Sequence, residues 1–205
     1  MAATSATSTD TSDAEENSAQ APILDAALVQ FERVGVKKTT IEDIARIAGV
    51  DRVTVYRRIG SRDDVVTAVF DREVERVLTE LAAIGQRHDN LDDLVADVFV
   101  TVIRRWRTNP LVKSLLLLEP ERILPKLTTD GASAFTLSVS LTTTMLGNAV
   151  TAGLLPDLPD LPTRAEILCR IVHSFVLMPD GTIPLGTEAD LDEFARHYLV
   201  PIIRP

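Results

Sequence analysis

Apolar residues recur at three- and four-residue steps along this chain, the spacing that gives a helix one buried face. The first such stripe is Ile23, Leu24, Ala27, Leu28, Phe31 and Val34, with Pro22 in an opening turn and Gly35 as C-cap. Thr39 and Thr40 then cap a second helix, with Glu42 or Asp43 completing a capping box and Ile41, Ile44, Ala45 and Ala48 facing inward. Gly49 makes the turn, because a left-handed backbone is cheapest for glycine. Asp51 caps a third helix that runs to about Ile59. Val50, Val55 and Ile59 point inward, so Arg52, Val53, Thr54, Tyr56 and Arg57 are left outward. Gly60 ends it, and Ser61 with Asp64 caps a fourth helix reaching about Ala83.

Further helices are predicted near Leu91–Thr108, Leu111–Leu118, Ala132–Leu155, Thr163–Leu177 and Glu188–Ile203, with breaks at Pro110, Pro120, Pro125, Pro156, Pro159, Pro162 and Pro179. Strand-forming aromatics are few and Ala, Leu, Val, Asp, Glu and Arg dominate, so the expected fold class is all-α. Residues 1–20, rich in Ser, Thr and acidic side chains, are expected to be a disordered tail. Residues 21–70 are expected to form a helix-turn-helix domain and 71–205 a larger helical bundle.

The stretch Gly131–Pro156 contains no charged residue. Its many hydroxyls make it too polar for a membrane span, so burial on most sides of the bundle is expected. Thr136, Ser140, Thr143, Thr144 and Asn148 form a polar stripe on it. Those groups either bond back to the helix's own carbonyls or line a pocket.

Net charge is −9, which taken alone argues against a nucleic-acid partner. The distribution reverses that inference. Residues 33–62 hold eight basic side chains against three acidic ones, a net +5 that leaves −14 for the rest. A basic patch on an acidic body binds phosphates while the body stays off the DNA. No Lys or Arg precedes Arg33, so a basic arm entering the minor groove is not expected. One cysteine, Cys169, excludes an internal disulfide and a cysteine zinc cluster, and no metal or other cofactor is expected. His88, His173 and His197 are isolated and no catalytic motif occurs, so no catalytic residue is assigned. The first 20 residues lack the apolar core of a secretory signal, which makes the cytoplasm the expected location.

A short helix carrying arginines and a tyrosine after a tight turn suits the major groove of DNA. The segments ILDAALVQFERVG, TTIEDIARIAGV and DRVTVYRRIGSRDDVVTAVF resemble the DNA-binding domain of the TetR family of transcriptional regulators. The resemblance implies a homodimer on a palindromic operator in double-stranded DNA, acting as a repressor released by a small-molecule effector. Carried over by position, it places Arg52, Val53, Thr54 and Tyr56 at base edges. Thr39 or Thr40, Tyr56, Arg58 and Arg62 would contact phosphates, with Arg57 on the same outward face. Three residues depart from the family pattern. Val53 replaces a frequent glycine, Arg58 a frequent histidine and Ile59 a frequent phenylalanine. An activator, or a helical ligand-binding or interaction protein that no longer reads DNA, is the alternative.

The resemblance also places dimerisation on the last two long helices. There Ile167, Ile171, Phe175, Leu191, Phe194 and Tyr198 are candidates for the interface; packing within one chain is the other reading. Candidates for an effector pocket are Phe99, Ile103, Trp106, Leu117, Thr136, Ser140, Thr144, Met145 and His173. Such a lining suits a mainly apolar ligand with one or two hydrogen-bonding groups.

Overall fold

In the computed structural model, which describes residues 8–204, every regular element is a helix and no strand occurs among the described residues. The helices are α1 (Ser8–Val34), α2 (Ile41–Ala48), α3 (Arg52–Arg58), α4 (Arg62–Ile84), α5 (Leu91–Thr108), α6 (Pro110–Leu118), α7 (Pro120–Leu127), α8 (Ala132–Thr151), α9 (Leu161–Leu177) and α10 (Glu188–Phe194). After α10 the chain continues through a wide π-helical turn, Ala195–Leu199, into α11 (Val200–Ile203). Among the described residues no helix is long and apolar enough to cross a membrane.

The chain divides into two compact units. One is formed by the residues through Glu73 together with Ser114–Glu119, the other by Val74–Lys113 and the residues from Pro120 onward. In the first unit Ile23, Ala27 and Phe31 of α1, Ile44 of α2, Val55 of α3 and Val65 and Val69 of α4 are all essentially inaccessible to water. Among the described residues, two apolar clusters lie in the second unit. Phe99 and Ile103 of α5 belong to one, with Leu146, Leu168, Leu191, Leu199 and Ile203. Met145 belongs to the other, with Leu81, Ile84 and Leu94.

The largest departures from expectation are at three places, with smaller ones where Pro110 opens α6, Pro162 lies in the first turn of α9 and α8 stops at Thr151 rather than Leu155. First, α1 does not start at Pro22 but continues through it from Ser8. A proline inside a helix lacks an N–H and crowds the preceding turn. Side chains from elsewhere take up carbonyls around it: Arg58 Nη1 donates to Ala19 O at 2.8 Å and Arg72 Nη1 to Ala21 O at 3.3 Å. Of the expected tail, residues 1–7 lie outside the described residues.

Second, Pro120 and Pro125, expected as breaks, both lie in α7. Pro120 occupies the first helical position, where its missing N–H costs nothing. Buried Ile123 and Leu127 hold the element down.

Third, the last helix is interrupted by the π-helical turn, which ends two residues before Pro201 is accommodated in α11. A proline cannot donate into the ladder, and a widened turn absorbs the mismatch. It leaves Ala195 and Leu199 buried and Tyr198 65% exposed.

Candidate nucleic-acid interface

Local capping builds the presenting scaffold. Thr40 is the N-cap of α2: its Oγ1 accepts from Asp43 N at 3.2 Å, while Thr40 N donates to Asp43 Oδ2 at 3.3 Å. Gly49 closes α2 with φ 68°, the left-handed conformation expected of it. Asp51 caps α3, its Oδ1 accepting from Thr54 N at 2.6 Å. Gly60 has φ 119°, and a Cβ there would stand 2.5 Å from Asp64 Oδ2. That carboxylate accepts from Ser61 N and from Ser61 Oγ, both at 2.7 Å, which caps α4. Three caps within 25 residues therefore fix where α2, α3 and α4 begin.

The three capping carboxyls share an electrostatic consequence. Asp43 is held below the ordinary aspartate range by hydrogen bonds from Thr40 and then Arg46. Asp51 is lowered by the Thr54 backbone N–H and hydroxyl, and Asp64 by the Ser61 hydroxyl and backbone N–H. A carboxyl with a depressed folded pKa stabilises the fold fully above its unfolded value and loses that contribution as pH falls through the lowered one. Helicity of the first unit is therefore expected to fall on acidification below the ordinary aspartate range. Asp51→Asn, which keeps a capping oxygen without the charge, should shallow that acid limb when followed by circular dichroism.

On α3, Val55 is buried, while Arg52, Val53, Tyr56, Arg57 and Arg58 are exposed and Thr54 is half-buried. Val53 is 72% and Tyr56 46% exposed, so the apolar and aromatic groups of this helix stand out to solvent. Arg52 is paired with Glu42 of α2, Nη1 to Oε1 at 2.7 Å, and its guanidinium carbon lies 5.5 Å from the centroid of the Tyr56 ring.

Two expected phosphate contacts are redirected by the structure. Thr39 is 1% exposed, and its hydroxyl donates inward to Gly35 O at 2.9 Å. Of the two threonines only Thr40 is exposed, since a cap residue sits at the helix mouth and its predecessor in the turn beneath it. Arg62 donates from Nε to Thr39 O at 2.9 Å and from Nη2 to Val36 O. Its guanidinium thus satisfies carbonyls of the turn that has no helix to pair them, and acts as an internal clamp. Arg58 is also tied: besides its bond to Ala19 O, its own carbonyl accepts from Gln20 Nε2 at 2.9 Å. Two exposed cations that the helix-face reading omitted, Lys37 and Lys38, stand in the turn just before α2. Their place in the basic run was the available signal.

In the second unit the expected pocket residues do not converge. Phe99, Ile103 and Met145 are buried but split between the two apolar clusters, and Trp106 is half-buried. His173 Nε2 lies 2.7 Å from Leu127 O, with its ring edge-on to Phe135 at 5.8 Å. Leu117 is 81% exposed and belongs to the first unit, which removes it from a pocket in the second. Thr136, Ser140 and Thr144 are exposed as well, so α8 is not buried on most sides. The absence of charge was a poor guide to burial there, because hydroxyls can satisfy themselves. Thr143 Oγ1 donates to Val139 O at 2.8 Å and Thr144 Oγ1 to Ser140 O at 3.0 Å. An open cleft of about 400 Å³ lies elsewhere in the unit, lined by His88, Asp93, Asp97, Val100, Glu188, Asp192 and Arg196.

The expected interface residues also separate. Leu191 is 3% exposed, packed in its own core, because it sits on the α10 face that meets α5. Ile171, Phe175 and Phe194 are half-buried against the same core. Ile167 and Tyr198 are exposed, as is Met178, which the pattern of α9 did not flag.

Residues 23–69 match the sequence model described as bacterial regulatory proteins, tetR family. A probable HTH-type transcriptional regulator, ArpR of Pseudomonas putida, is 29% identical over 190 residues, 84% of this chain and 87% of its own length. Among solved structures, the TetR-family repressor AlkX of Dietzia sp. strain DQ12-45-1b, implicated in biodegradation of n-alkanes, superimposes with a TM-score of 0.67 at 19% identity, covering 91% of this chain and 98% of that one. The transcriptional repressor QsdR of R. erythropolis gives 0.64 at 24% identity, covering 91% and 95%. These two likenesses are of fold.

Proposed function

We infer that this chain, which belongs to the TetR family of bacterial transcriptional regulators and so acts by binding DNA, is a homodimeric repressor of a palindromic operator, released in the cytoplasm by a small, largely apolar effector. The observation that carries the reading is α3 itself, with Arg52, Val53, Tyr56 and Arg57 exposed on a helix capped by Asp51 and set between the capped starts of α2 and α4. Arg52 is suited to guanine and Val53 to a thymine methyl, with the Thr54 hydroxyl at the edge of the same face. Thr40, the Tyr56 hydroxyl, Arg57 and Arg58 are assigned to phosphate oxygens, joined by Lys37 and Lys38. For Arg58 to reach a phosphate it must release Ala19 O, so its contribution is the weakest of these.

Repression and release follow from geometry. A dimer holds two recognition helices about one DNA turn apart, ~34 Å or a multiple. An effector that binds better to a state with another separation draws the protein off the operator, and only that difference in affinity does work. The interior of the second unit is mostly apolar, but Phe99, Ile103 and Met145 fill it as two separate clusters, so an apolar effector enters only by opening that packing.

Selection of bound sequences from random DNA by the purified protein tests the reading. The expected product is a palindrome whose affinity falls steeply with salt. Binding without sequence preference would overturn it. Dimerisation is tested separately. Exposed Ile167, Met178 and Tyr198 are assigned to the subunit contact, with Ile171, Phe175 and Phe194 behind them. Ile167→Asp with Tyr198→Asp should halve the mass by sedimentation while leaving helicity unchanged, since a charge at the centre of an apolar contact is left unpaired. An unchanged mass would place the interface elsewhere.

A further inference from the structure

Glu42 stands in the first turn of α2, its side chain 60% exposed, beside the face assigned to DNA. A carboxylate there is repelled by phosphates unless a cation holds it. The cation is Arg52, ten residues on and in the next helix. An ion pair between two exposed side chains adds little to stability, so the consequence of this one is geometric.

Reading guanine bidentately requires a guanidinium to present two N–H groups in one plane to O6 and N7. A free arginine samples many rotamers, and ordering it on binding opposes affinity and blurs preference. In this chain Glu42 Oε1 engages Nη1 at 2.7 Å and the Tyr56 ring lies against the guanidinium, with the central carbon 5.5 Å from its centroid. The ion pair sets the direction in which the guanidinium points, and the Tyr56 ring stands beside it. The three groups come from two helices, each locked by its own cap.

We propose that Glu42 is a positioning residue for sequence recognition, orienting the Arg52 guanidinium so that it reads one guanine in each half-site. The proposal rests on the reading of α3 as the base-reading helix.

The experiment compares wild type, Glu42→Ala, Glu42→Gln, Arg52→Ala and the Glu42→Ala, Arg52→Ala pair. Each is measured for base preference at every operator position and for affinity to unrelated duplex DNA, with circular dichroism as the control on folding. Arg52→Ala is expected to erase preference for guanine at one position. Glu42→Ala should cut discrimination at that same position by roughly fivefold or more and leave the others intact. The paired variant should be no worse than Arg52→Ala alone, because both changes remove one interaction. Glu42→Gln, which keeps an acceptor oxygen, should fall between. Affinity of Glu42→Ala for unrelated DNA should rise, since a negative charge has gone. A merely structural role would lower all affinities together.

If Glu42→Ala keeps every preference while Arg52→Ala erases one, the positioning role is overturned and base reading by Arg52 stands. If Glu42→Ala alters a position that Arg52→Ala does not, Glu42 meets a base itself and the proposal is likewise overturned. If Arg52→Ala erases no preference, the reading of α3 fails, and the proposal with it.

Discussion

Phe99→Ala is expected to lower stability by about 3–5 kcal/mol, the range for removing a large aromatic from a packed core. The ring is 1% exposed. It meets Phe175 edge-on with centroids 6.0 Å apart and Phe194 at 5.5 Å, and those two meet each other at 5.2 Å. Phe99 thereby joins α5 to both α9 and α10, and truncating it leaves a void between three helices that capped or bonded neighbours cannot easily fill. Chemical denaturation monitored by far-UV circular dichroism measures the effect. A loss below about 1 kcal/mol would mean that the ring borders space able to collapse, which would return Phe99 to the set of pocket residues.

The second large effect is on function. Combining Arg52→Ala with Tyr56→Phe is expected to weaken operator binding on the order of 100-fold or more, with helicity and dimerisation unchanged. A bidentate arginine–guanine contact discriminates by ~1–3 kcal/mol, and a hydrogen bond to a charged group contributes ~1.5–3 kcal/mol. A dimer loses each of these twice. Tyr56→Phe removes only the hydroxyl, so the ring beside Arg52 stays in place and the fold is untouched; the aromatic body of the helix is not what is tested. Mobility shifts at two salt concentrations separate the parts. Loss of Arg52 flattens the sequence preference, whereas loss of a phosphate contact weakens all sequences alike. Unchanged binding would refute the groove face assigned to α3.

Much of the first unit was legible because its signals are short-range. The Thr40–Asp43 box, Gly49 at φ 68°, the Asp51 cap and the Ser61–Asp64 pair each act over three or four residues, and each formed where the spacing predicted. The same local logic failed where a longer-range partner intervened. Thr39 and Thr40 look alike in the sequence, but one is buried under the turn and the other caps the helix. Arg62 reads as a cation on a basic patch until the carbonyls of Val36 and Thr39, 26 and 23 residues away, are found in front of it. Pro22 reads as a helix start, yet Arg58 of α3 and Arg72 of α4 bond to carbonyls beside it.

In the second unit, helix positions were legible and helix faces less so. Hydrophobic period marks that a helix has an apolar side, but Leu191 and Tyr198 lie on one helical stretch with opposite fates. Only packing against α5 and the widened turn at Ala195–Leu199 decide which is buried. The uncharged α8 makes the same point in reverse: hydroxyls that bond within their own helix need no core, so lack of charge did not mean burial.

By itself, then, the sequence determined the all-helical class, the helix-turn-helix and its outward residues, because caps, turns and the 3.6-residue period are settled within a few bonds of the chain. The tertiary structure alone decided which cations remain available to DNA, which apolar residues are core and which stand out to solvent, and that Glu42 holds Arg52. Each of those depends on groups brought together from distant positions, and burial and pairing are properties of that meeting.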